Sequence, residues 1–279
     1  MKFSYKWLKE LSGSKVSAER MAELLTLHSF EAKAAEKRGQ GEVLEIDILP
    51  NRAHEGFSHW SVAREISAIT GSKMKIPPSK VKENKNLKTS DFVSIKISNP
   101  KLCPRYAARL IEGVKVNPSP VWLKKRLELL GLNSINNIVD ATNYVMLELG
   151  QPLHAFDAKK IAAIDNRRTI FIRPSKNKER LTTLDGQRLE LPAGLLLIAD
   201  AKKPLAIAGI KGAQGSEITK ATKTIIIEAA NFEPLIIRKG SQLLNLKTDA
   251  SMRFGQWLSP DLIKQALNRV ASLIQKVAG

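Results

Sequence analysis

The feature that most constrains this chain is a change of pattern near Pro77-Pro78. Before it the sequence is dominated by helical periodicity. After it comes a polar, Lys-rich stretch, 79–90, and then a series of short strand-like runs. Paired prolines end regular structure, and a charged polar stretch reads as a linker. The division is therefore an N-terminal unit over 1–78, a linker over 79–90 and a larger domain over 91–279. A chain of 279 residues has room for one large or two modest domains.

Within the first unit, Ser17 is a fair N-cap for a helix reaching His28, with Met21, Leu24 and Leu25 at helical spacing. Residues 38–42 read as a breaker-rich turn, and 42–49 alternate like a half-buried strand. The spacing of Trp60, Val62, Ala63, Ile66 and Ile69 predicts a helix over 58–70, closed by Gly71. In the larger domain, strands are expected at 92–97, 107–111, 169–173, 195–199 and 224–228, with a hairpin turn at 184–187. Helices are expected at 118–130 and at 260–277. The fold class is α+β: a small helix-rich unit, then a mixed domain with antiparallel-rich sheets and a long C-terminal helix.

Several function classes fall away. The longest apolar run, about Leu195–Ala199, is far short of the ~18 residues of a membrane span. The opening decapeptide carries charge where a signal peptide needs an apolar stretch. The single cysteine, Cys103, forms no internal disulfide or multi-thiolate zinc site and reads as a small buried hydrophobe. A soluble cytoplasmic protein without membrane partner is expected. Phosphate loop, dinucleotide turn, zinc-protease helix and nucleophile elbow motifs are all missing from the sequence. No metal site is expected: His54 and His59, five apart, share no helix face.

Charge is the positive clue. The net charge is +18, and the imbalance is uneven: 13 basic against 10 acidic residues over 1–80, but 32 against 17 over 81–279. Such an excess fits a polyanionic partner, or else a set of simply solvated charges. At 5% aromatic residues the chain lacks the stacking platforms of single-strand readers, so lysines approaching a phosphate backbone fit better.

The run Ser134–Asp157, SINNIVDATNYVMLELGQPLHAFD, closely resembles a signature of the β subunit of bacterial phenylalanine–tRNA ligase. Further matches follow in order: Pro50-Asn51-Arg52, Cys103–Tyr106 (CPRY), Leu184-Asp185-Gly186, Ala206–Gly212 (AIAGIKG), Glu228–Phe232 (EAANF) and Thr248–Ser251 (TDAS). The resemblance implies the family's N-terminal unit and its editing, tRNA-binding domain. It implies no inserted oligonucleotide-binding fold, since Ala35–Glu42 runs almost directly into the following strand, and none of the family's later domains. Aminoacylation belongs to the α subunit in that family, so ATP and magnesium would enter only through such a partner; editing needs no cofactor.

What the resemblance implies for the site follows the chemistry of sorting two amino acids that differ by one hydroxyl. An apolar synthetic pocket rejects an added hydroxyl by only about two orders of magnitude. A second site that hydrogen-bonds the hydroxyl sorts the other way, because the smaller ring leaves its buried polar groups unpaired. On the matching positions, Glu228 recognises the tyrosine hydroxyl, Gly212 lets backbone approach the ring or its hydroxyl, and Thr248 and Ala250 form the pocket wall. His154 stands beside the ester, while Thr142 and Asn143 hold the terminal adenosine or the attacking water. Read without the family, these residues have plainer roles. Glu228 is a carboxylate at a strand end, Gly212 a loop glycine, His154 a satisfied loop histidine, and Thr248 and Ala250 turn residues before the final helix. No Ser–His or Cys–His pair is evident, so direct attack by water is expected rather than a covalent intermediate.

Two departures stand out. Met252–Trp257 reads MRFGQW where the family continues His-Arg-Phe-Glu-Arg-Gly, and His54 replaces an aspartate. Three activities remain open at this point. The chain is a deacylase for tyrosyl-tRNA(Phe), a non-catalytic tRNA-binding or assembly subunit for an α subunit, or a general RNA-binding protein on a retired editing domain.

Overall fold

The computed structural model describes residues 1–39 and 41–279. Strand β1 (Lys2–Ser4) leads into α1 (Tyr5–Ser12), then α2 (Ala18–His28), β2 (Ala32–Arg38), β3 (Gly41–Ile46), the single turn α3 (Ala53–Gly56) and α4 (His59–Thr70). The helices begin where the sequence supplies an oxygen for their free amides: Ser4, Ser17 and Ser58 accept from Trp7, Arg20 and Ser61. The strands form an antiparallel sheet in the order β1-β3-β2. The turn expected over 38–42 includes Gln40, which lies outside the described residues.

Beyond residue 88 the elements are α5 (Thr89–Phe92), β4 (Val93–Ile97), β5 (Arg105–Glu112), α6 (Val121–Leu129), α7 (Asn137–Leu149), β6 (Leu153–Asp157), β7 (Ala163–Ile164) and β8 (Arg167–Pro174). The hairpin β9 (Glu179–Thr182) and β10 (Arg188–Leu191) follows, then β11 (Leu196–Ala199), β12 (Pro204–Ile207), β13 (Lys211–Gly212) and β14 (Thr224–Asn231). Three helices close the chain: α8 (Pro234–Leu243), α9 (Asp249–Phe254) and α10 (Leu262–Ala278). One sheet runs β13-β12-β11-β8-β4, with β7 on β8 and only the β4–β8 pair parallel. A second, wholly antiparallel sheet runs β5-β14-β6. The expected α+β architecture, with antiparallel-rich sheets and a long final helix, is what the chain adopts.

The β5-β14-β6 sheet divides two apolar cores. Side chains alternate across a strand, so Ile225, Ile227 and Ala229 face one core while Ile226 and Ala230 face the other. That explains why β14 is buried along nearly its whole length and reads as a continuous apolar run. The first core gathers α1, α2 and α4 with α7 and α10, so side chains from Phe3 to Ala278 meet in it. Trp7 is stacked between His59 and Tyr144, with ring centroids 4.2 and 4.4 Å away. His59 is fully buried, accepts from Ser4 N through Nε2 and faces Leu147 O through Nδ1. Its proton therefore sits on Nδ1, and burial pushes its pKa down to about 3. Glu148 and Arg269 form a bidentate pair inside the same core. Residues 72–88 carry no helix or strand, yet Gln275 exchanges hydrogen bonds with both backbone groups of Lys82, and Arg269 donates to Pro78 O.

Candidate functional site

The second core is where the β5-β14-β6 sheet becomes unusual. Glu228 lies directly opposite Ala108 on one neighbour and His154 on the other, while Ala230 lies opposite Tyr106. Strand alternation then puts Tyr106, Glu228 and His154 on one face, the face that carries Phe156 and Ile226 into the second core. Glu228 Oε2, His154 Nε2 and Tyr106 Oη are all buried there without a hydrogen-bond partner. Leaving one such group unpaired costs about 1–3 kcal/mol. Three such atoms lie on this one face.

Glycine and a tight turn bring a second wall against this face. A Cβ on Gly212 would stand 3.0 Å from His154 Cε1 and 2.8 Å from Leu184 Cδ1, so β13 approaches the imidazole only because no side chain intervenes. The preceding turn passes through Gly209 at φ +66, hemmed by Phe232, Ile237 and Phe254. Thr248 fastens that turn: its Oγ1 donates to Ile210 O at 2.9 Å and accepts from Ser251 N as the N-cap of α9. Ala250 packs from α9 against the second core. His154 also meets Phe156 edge to face, with centroids 4.6 Å apart.

The structure thus joins Glu228, His154 and Gly212 directly, and ties Thr248 and Ala250 to the Gly212 turn. Thr142 and Asn143 fall outside that group. Both sit on α7, whose Ile138, Ala141 and Val145 pack in the first core, on the other side of the sheet. Thr142 Oγ1 is spent on Val139 O at 2.7 Å. Tyr106 is the residue that sequence reasoning passed over. It stood in the matched CPRY run, and its signal was an aromatic ring with a polar tip among the strand's apolar neighbours.

Burial governs the charges. It pushes the Glu228 carboxyl up to about 8, against an opposing influence from the Tyr106 hydroxyl beside it. It pushes the Tyr106 phenol well above its ordinary value, with Glu228 and Cys103 adding to the effect. His154 is pushed down to about 4 by burial, so its imidazole is neutral near pH 7. Cys103, pushed up to about 12 mainly by burial, stays a thiol rather than a nucleophilic thiolate. The site therefore offers a neutral imidazole, a carboxyl held close to neutrality and a phenol, all on an apolar wall. Such a set can give and accept hydrogen bonds in apolar surroundings.

Fold and site together define an α+β domain in which three buried polar side chains face the second core from one sheet. The chain belongs to the B3/4 domain family, whose description matches residues 102–279. It is 46% identical over 237 residues, 85% of its length, to the phenylalanine–tRNA ligase β subunit of Carboxydothermus hydrogenoformans, and spans 29% of that protein. It is 38% identical over its whole length to the β subunit of Rhodopirellula baltica, of which it spans 40%. Among solved structures it resembles an N-terminal fragment of the phenylalanyl-tRNA synthetase β subunit from Pyrococcus horikoshii, at 16% identity and a TM-score of 0.47, over 88% of this chain and 73% of that one. The chain thus covers between about three tenths and two fifths of these curated relatives' length. Among the described residues, no helix is long and apolar enough to cross a membrane.

Proposed function

We propose that this chain acts in translation as an editing domain, hydrolysing the ester of tyrosyl-tRNA(Phe) and releasing tyrosine. The observation that carries the reading is the pairing of Glu228 with His154 across β14 and β6, each with a buried polar atom unpaired. Glu228 takes the phenol hydroxyl of the misattached tyrosine. Phenylalanine leaves Glu228 unpaired and is bound less well. Gly212 lets the ring lie against β13, and Thr248 and Ala250 hold the wall behind it. His154, neutral at working pH, orients a water toward the ester carbonyl and accepts its proton weakly. Thr142 and Asn143, standing apart on α7, serve the terminal adenosine.

In this reading residues 91–279 carry the site, 1–78 supports it through the shared core, and 79–90 joins them. The basic excess of the larger part meets the tRNA backbone. An α subunit is the partner for any aminoacylation, with ATP and magnesium bound there and no cofactor needed for hydrolysis. The test is single-turnover deacylation of tyrosyl-tRNA(Phe) and phenylalanyl-tRNA(Phe) by the chain, alone and with an α subunit. Faster loss of tyrosine, abolished in His154→Ala, is expected. Equal rates for both esters, or no effect of His154→Ala, would overturn the reading.

A second reading, a non-catalytic assembly subunit, is favoured by one observation. Leu243, at the end of α8, and Trp257, just after α9, are exposed to 65% and 67%. Loss of α-subunit binding in Trp257→Ser, with deacylation absent in the unaltered chain, would select it.

A further inference from the structure

Tyr106 and Glu228 stand on a diagonal of the sheet. Tyr106 is paired with Ala230, and Glu228 with Ala108, in consecutive same-face rows of β5 and β14. Diagonal positions lie about 7–8 Å apart at Cα, within reach of a tyrosine side chain. The alanine opposite each leaves the two polar chains room to converge. Converge they do, since each influences the other's ionisation. Yet they do not complete a hydrogen bond of normal geometry with each other: the phenol oxygen and Glu228 Oε2 both end unpaired. A donor and an acceptor side by side, both buried and both unspent, are arranged for a third group.

The smallest group that satisfies both is a hydroxyl, which has one proton to give and two lone pairs to receive. We propose that Tyr106 is a specificity-determining residue: its phenol donates to the hydroxyl of an aromatic ligand while that hydroxyl bonds the Glu228 carboxyl. A bare phenyl ring satisfies neither group. Two unpaired groups, rather than one, then count against it. This inference rests on the editing reading above and adds to it the second half of the recognition pair. Cys103 stands near Tyr106 and His154 lies directly opposite Glu228, and burial holds both uncharged.

The test uses amide-linked, non-hydrolysable probes, 3′-tyrosylamino-3′-deoxyadenosine and its phenylalanyl counterpart, titrated calorimetrically into the full chain and into Tyr106→Phe. Phenylalanine at 106 keeps the ring and removes only an unpaired hydroxyl, so the fold is retained. The unaltered chain is expected to prefer the tyrosyl probe. In Tyr106→Phe that preference falls about tenfold while affinity for the phenylalanyl probe is unchanged. An intact preference in Tyr106→Phe, beside a discriminating unaltered chain, overturns the role of Tyr106 and leaves the editing reading standing. A parallel loss of affinity for both probes marks Tyr106 as packing alone and also overturns it. An unaltered chain that binds neither probe, or both equally, overturns the editing reading and the inference together.

Discussion

The two faces of the β5-β14-β6 sheet are built from the same three strands and carry opposite chemistry. One face presents Ile225, Ile227, Ala229 and Ala155 to α7, α10 and the first unit. On that side Glu148 is spent on Arg269, and both ring nitrogens of His59 on backbone. The other face presents Tyr106, Glu228 and His154, each with an atom unpaired. Alternation along the strands keeps the two chemistries apart with no change in backbone. The lesson is that one sheet can serve stability on one side while the other retains unpaired groups for a ligand.

The comparison predicts opposite outcomes for removing a buried carboxyl group from each side. On the spent face, Glu148→Ala leaves the Arg269 guanidinium buried without its carboxylate. A loss of about 3–5 kcal/mol is expected, read from urea unfolding. A loss below about 1 kcal/mol would show that water reaches Arg269 and that this core is not closed.

On the unspent face the sign reverses. The folded Glu228 carboxyl titrates near 8, against an unfolded value near 4.5. The folded state therefore binds more protons between those values, and its stability falls as pH rises through that window. Glu228→Gln should remove the fall. It should be more stable than the unaltered chain at pH 8 by on the order of 2–4 kcal/mol, with little relative gain at pH 4.5. Parallel stability curves for the two proteins across pH 5–8 would contradict the buried carboxyl.

A smaller effect is expected at Tyr106, where phenylalanine removes an unpaired hydroxyl. The unfolding midpoint should change by less than about 1 kcal/mol. A larger loss would reveal a hydrogen bond made in solution. The smallest expected effect concerns His154. Because burial holds it near 4, kcat/KM for deacylation should show no inflection near the ordinary histidine value of 6.5. An inflection there, absent in His154→Gln, would mean the ring is solvated.

Much of this division was legible in the sequence. The caps Ser17 and Ser58, the hairpin turn around Gly186 and the continuous apolar run of β14 follow from local rules. The helix α7 did not, because it is buried on nearly every side and its apolar residues show no single stripe. The Glu228–His154 pairing was also out of reach, because it depends on register between strands 74 positions apart, which periodicity does not encode. The resemblance supplied both residues but not the fact that they face each other. Tyr106 was missed for a related reason: nothing local distinguishes an aromatic that packs from one whose hydroxyl is left free.

The most direct test of the unspent face replaces Glu228 with an apolar side chain of similar length and measures two properties of one variant. Glu228→Met should unfold at higher urea than the unaltered chain at pH 8, and should lose the preference for deacylating tyrosyl-tRNA(Phe). A variant that is less stable at pH 8 and still sorts tyrosyl from phenylalanyl esters would contradict the account, since Glu228 would then be a structural carboxylate and the recognition site would lie elsewhere.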